Sequence, residues 1–133
     1  MPHVVIRGPV SAEDIWLAFQ PLEFQEGGNV MKVADCYLSS DREVLLLRAT
    51  VVERGFPKNF FLKIVEDGDE QTHGEMARLT ISVEKQAAPE RTDAVKRLIG
   101  LSAWRLLQAV PEAEVATTNI PEFIKGPDTE EDE

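Results

Sequence analysis

The chain has 133 residues, a formal net charge of −10, 43% hydrophobic and 29% charged residues, which places it among ordinary globular proteins of one domain. A single cysteine, Cys36, excludes an internal disulfide framework and a multi-cysteine zinc site, and 24 acidic against 14 basic residues argue against nucleic acid or anionic lipid as partners. No apolar stretch approaches the roughly 18 residues of a membrane span and the first residues lack the pattern of an export signal, so the expected address is the cytoplasm, away from membranes.

The first run, His3-Val4-Val5-Ile6-Arg7, is rich in β-branched residues and is stopped by Gly8-Pro9, which predicts a short strand. Ser11 then stands at an N-cap position with Asp14 three residues on, and Val10 and Ile15 occupy the staple positions. A helix of about three turns follows, with Ile15, Trp16 and Phe19 as its apolar face and Pro21 as its limit.

After a turn at Gly27-Gly28-Asn29 come four β-type runs. Val30 to Leu38 carries apolar residues on both faces, Ala34, Cys36 and Leu38 on one, Met31, Val33 and Tyr37 on the other. Glu43 to Glu53 alternates, with Leu45, Leu47, Ala49 and Val51 on one side, and pairs with the preceding run as a hairpin. The segment Gly55 to Asn59 reads as a turn, and Phe60 to Glu66 places Phe60, Leu62 and Ile64 on one face. Met76 to Glu84 alternates most cleanly, with Ala77, Leu79, Ile81 and Val83 inward.

The longest helix is predicted from Pro89 or Glu90 to Ala109, with Val95, Leu98, Ile99, Ala103, Leu106 and Val110 as its core stripe. Pro111 ends it, and Glu114 to Ile120 is a candidate last strand. Residues Lys125 to Glu133 hold five acids and one base and read as an acidic disordered tail behind a single domain of residues 1–124.

This order predicts an α+β fold: an antiparallel sheet of about five or six strands with a short N-terminal and a long C-terminal helix on one face. A ferredoxin-like sheet with an inserted hairpin fits if the last strand forms. Val5-Ile6-Arg7-Gly8-Pro9 with Ile15-Trp16, together with the long late helix, also resembles helix-grip ligand-binding domains of the START type over about twenty residues. That resemblance implies a curved sheet gripping the helix around a ligand. The chain departs from it in having fewer strands, no second short helix and a segment after the long helix.

Chemistry-bearing residues show no catalytic signature. Cys36 lies mid-strand on a mostly apolar face and reads as a small core residue. His3 is near the terminus, and His73 sits in the acidic loop Asp67 to Glu75, which lacks the spacing of a calcium hand or a His-x-x-x-His site and reads as a solvated connection. Gly27-Gly28 has no phosphate-loop context, and the acid pairs Glu66-Asp67 and Asp69-Glu70 lie in turns. No catalytic residue, metal or cofactor is assigned.

Two surfaces stand out. Taking Val95 as zero at about 100° per residue, Leu101 and Trp104 project near 240° and 180°, away from the core stripe, beside Arg97 and Gln108. Either Asn119 to Phe123 folds back over them, or they form the interface of a twofold homodimer. The second surface is the polar face carrying Arg78, Thr80 and Ser82, with Arg48 and Thr50 on another strand. It is either a hydrated sheet face or, with Tyr37, a grip for an anionic group. The leading expectation is a noncatalytic association module acting as a homodimer, with a further protein or small-molecule partner. The alternative is a small-molecule-binding cavity protein of helix-grip type, taking an anionic or amphipathic ligand through Tyr37, Arg48, Arg78 and Thr80, with enzymatic turnover left open.

Overall fold

The computed structural model describes residues 1–67, 77–84 and 92–127. Its elements in chain order are β1 (His3–Gly8), α1 (Ala12–Ala18), β2 (Leu22–Glu26), β3 (Asn29–Leu38), β4 (Val44–Glu53), β5 (Phe56–Asp67), β6 (Ala77–Val83), α2 (Asp93–Ala109) and β7 (Glu114–Thr118), followed by one 3₁₀ turn at Pro121–Phe123. The fold is α+β, with the strands in one sheet ordered β2-β3-β4-β5-β6-β1-β7 and every neighbouring pair antiparallel.

The sheet has seven strands rather than five or six, because β2 was not legible. Its sequence Leu-Glu-Phe-Gln-Glu holds only two apolar residues, too few for a propensity signal. The clue was its turn: Gly27 and Gly28 both have positive φ, 56° and 85°, the geometry a two-residue hairpin requires. A second such turn at Arg54 and Gly55 starts β5 four residues earlier than expected. Pro57 is tolerated there because, among the described residues, pairing of β5 with β6 begins only at Leu62 opposite Val83.

A bulge resolves the two-faced pattern of β3. The register with β4 slips between Val33 and Asp35, so Ala34 is the extra residue and parity reverses after it. Met31 and Val33 face inward before the bulge, and Cys36 and Leu38 pack on the core after it. One inward row then crosses the sheet through Leu38, Leu45, Ile64, Ile81 and Val4.

Both helices lie on the inner face, around which the sheet curls. At α1 the expected capping box is present: the Asp14 amide donates to Ser11 Oγ and the Ser11 amide to Asp14 Oδ2, both at 3.0 Å. The helix has seven residues and leaves Trp16 and Leu17 exposed, so of its expected apolar face only Ile15 and Phe19 reach the core. Helix α2 is capped by Thr92, whose Oγ1 accepts the Val95 amide and donates to Glu53 Oε1. The helix starts at Asp93 rather than at Pro89 or Glu90, since the backbone of Thr92 is extended. Pro89, Glu90, the loop containing His73 and residues 128–133 of the tail expected at 125–133 lie outside the described residues, whereas the Lys125 and Gly126 carbonyls are held by Arg97 on α2. Val95, Leu98, Ile99 and Ala103 of α2 are buried against the sheet, as their spacing predicts.

Candidate functional site

The polar sheet face does not assemble a site. Tyr37, Arg48, Arg78 and Thr80 are all on the outer face, opposite the helices. On β5 as a common ruler, Arg48 lies across from Phe61 and Arg78 across from Asp67, which separates them along the sheet by about 20 Å at the rise of an extended strand. Arg48 forms an ion pair with Asp35, and Arg78 points into solvent. At that separation the two guanidinium groups do not converge on one ligand.

The ridge on α2 is covered from within the subunit. Leu101 is fully buried and Arg97 is 6% exposed, while Trp104 is half-buried and Gln108 exposed. Residues 120–127 run back across α2 as a strap. Arg97 holds it with every N–H of its guanidinium group. Its Nε and Nη2 donate to Glu26 Oε1 and Oε2, each at 2.8 Å, Nη1 donates to the carbonyls of Phe123 and Lys125, and Nη2 also reaches that of Gly126. Such bidentate, charge-assisted geometry is what offsets the cost of burying the pair. Gly126 lies on the Trp104 ring: a Cβ there would stand 3.0 Å from Cζ2. The chain's own C-terminal segment thus covers Leu101 and Arg97 and part of Trp104, and leaves Gln108 exposed.

Among the described residues the concave features include a cavity of about 340 Å³ between the helices and the sheet and a more open depression between Trp16, Pro21 and Cys36. The floor of the cavity is Val33, Leu47, Ile64 and Ile81, one inward residue from each of four successive strands. Its roof is Leu106, Ala109 and Val110 at the C-terminal end of α2, and its side wall is Ile15, Ala18 and Phe19 of α1 and its cap. Helix α1 is held in place by its N-terminus, where the Ala12 amide donates to Glu66 Oε1 at 2.8 Å and Arg42 Nη1 donates to Glu13 Oε2 at 3.2 Å.

Four polar side chains line this cavity, Asp14, Gln20, Ser102 and Arg105. Two already have partners: Ser102 Oγ donates to the Leu98 carbonyl at 2.9 Å, and Asp14 accepts from the Ser11 amide. Gln20 and Arg105 are exposed and, among the described residues, make no side-chain hydrogen bond or ion pair. An apolar chamber with a few polar groups is the usual composition of a small-molecule site.

No family model, no curated protein and no solved structure matches this chain. No helix among the described residues is long and apolar enough to cross a membrane.

Sequence reasoning missed every residue of this cavity as a site. The floor residues read as ordinary core, which they also are. Arg105 carried one faint signal: it projects about 80° from Val95, at the border of the apolar stripe, where a cation flanks a buried face. Cys36 lies outside the cavity and is half-buried, and burial pushes its thiol up to about 11, away from nucleophilic chemistry at neutral pH.

Proposed function

We propose that this protein is a noncatalytic binding protein that holds a small, largely apolar molecule between α2 and the sheet. The observation that carries the reading is the chamber of about 340 Å³ with its apolar floor and its polar residues Gln20 and Arg105, which is at the lower end of the sizes that small ligands occupy. Of the two fold descriptions raised by the sequence, the helix-grip one is favoured, because the curled sheet closing on α2 leaves room for a guest. The strand β7 beside β1 is a departure from it, and is the feature the ferredoxin-like description accommodates. The homodimer expected on Leu101 and Trp104 has less to support it than the cavity, since the strap covers Leu101 and part of Trp104.

A neutral solvatochromic dye tests the proposal. Saturable binding at one dye per chain with blue-shifted emission is expected, and Ala109→Trp should abolish it. Ala109 is exposed and lines the cavity, so the larger ring fills the opening without entering the core. Dye that partitions without saturation, or binds Ala109→Trp equally well, would overturn the reading.

A further inference from the structure

Resting on that cavity reading, we infer that the natural guest is an amphiphile with one carboxylate or comparable single anionic group, held by Arg105 while its hydrocarbon part lies on the floor. The helix α2 carries two arginines in contrasting states. Arg97 uses its whole donor fork on Glu26 and the strap, whereas Arg105 has no hydrogen-bond or ion-pair partner among the described residues and lines the cavity. A guanidinium fork matches a carboxylate in two parallel bonds. The Gln20 amide lines the same cavity, is likewise without a partner among the described residues, and supplies further N–H donors.

The other polar groups lean the same way. Asp14 is the one carboxylate in the lining, and one of its oxygens already closes the capping box of α1. The hydroxyl proton of Ser102 is directed to the Leu98 carbonyl. A cationic head would have only Asp14, and a neutral head would leave the Arg105 fork to water. The tail is bounded by volume: 340 Å³ is the liquid volume of about eleven waters, and a methylene takes up about as much space as a water, so a chain of roughly eight to ten carbons fits. The chain's overall charge of −10 opposes an anion at long range, so a preference for one must come from local contacts, which salt screens far less.

The test is displacement of the neutral dye at physiological salt by three matched probes: octanoate, octanol and octyltrimethylammonium. Octanoate should displace at a concentration about tenfold below octanol, the order expected of a charge-assisted pair at a partly hydrated site. In Arg105→Gln that advantage should vanish while octanol is unchanged, and Arg105→Lys should retain part of it. Arg105 is exposed, so neither variant threatens the fold. Equal displacement by all three probes, or preference for the cation, would overturn the anionic assignment and leave the cavity reading standing. Failure of the dye and of every probe to bind would remove both.

Discussion

Replacing Gly100 with alanine sets local helix propensity against tertiary packing. Gly100 is in the middle of α2, and in an isolated helix the change to alanine stabilises by about 1 kcal/mol. Here the new Cβ would stand 2.0 Å from the Phe123 carbonyl oxygen, 2.4 Å from its carbon and 2.9 Å from its Cβ. Ordinary contact needs about 3.5 Å, so the strap must retreat by roughly 1.5 Å. The Phe123 carbonyl is also the acceptor for Arg97 Nη1 at 2.8 Å, and a retreat of that size takes it beyond hydrogen-bonding distance. Hydrogen bonds to a charged donor are worth about 1.5–3 kcal/mol each, reduced at the surface because water replaces the carbonyls. With the Lys125 and Gly126 carbonyls drawn away in the same movement, the expected outcome is a net loss of about 2 kcal/mol despite the gain in propensity. Urea unfolding followed by circular dichroism measures the loss, and tryptophan emission in a Trp16→Phe background reports on Trp104 alone. A red shift of that emission is expected as Gly126 lifts from the ring. A Gly100→Ala protein about 1 kcal/mol more stable with unchanged emission would refute the reasoning, because propensity would then have won over packing.

Arg97→Lys should destabilise by about 2–4 kcal/mol, since an ammonium cannot reproduce the planar fork that satisfies Glu26 and three carbonyls together; a change in urea midpoint worth less than about 0.5 kcal/mol would show the clamp to be ornamental. Cys36, raised from 9.0 to about 11 by burial, should react with iodoacetamide at pH 8 about a hundredfold more slowly in the native protein than in urea, following the thiolate fraction. The linked effect on stability has a definite sign: the folded state favours the neutral thiol, so this contribution is complete below pH 9 and is lost as pH rises through about 11. Cys36→Ala should flatten that part of the profile, and an unchanged slope would assign it to other groups. Glu66→Gln should weaken the anchor under α1 by about 1 kcal/mol or less, visible as faster hydrogen exchange at the Ala12 amide with the β4 and β6 amides unaffected.

Several elements were legible because their signals are local. The capping box at Ser11 and Asp14 depends on four consecutive residues, and the alternation of β4 and β6 depends on the two-residue repeat of a strand lying on a core. The stripe of α2 from Val95 to Ala103 likewise follows from helical spacing. Strand β2 was missed because three of its five residues are polar, and its pairing with β3 is recognised from the Gly27-Gly28 turn rather than from its own composition. Parity in β3 was ambiguous because a bulge at Ala34 exchanges inside for outside, and no residue type announces a bulge.

Local chemistry therefore settled the cap of α1, the turn at Gly27-Gly28, the inward faces of the regular strands and the core side of α2, since each of these is a property of neighbours in the chain. What covers the opposite side of α2 depended on a contact between Arg97, Glu26 and residues 123–126, partners separated by 71 and 26 to 29 positions. The candidate site has the same origin. Its floor residues lie on four strands, its roof lies on a helix at the other end of the sequence, and Arg105 gains meaning only from the space beside it. A cavity is the part of a fold that side chains fail to fill, and that failure is decided by how far the sheet curls and where α1 is anchored, quantities no single segment encodes.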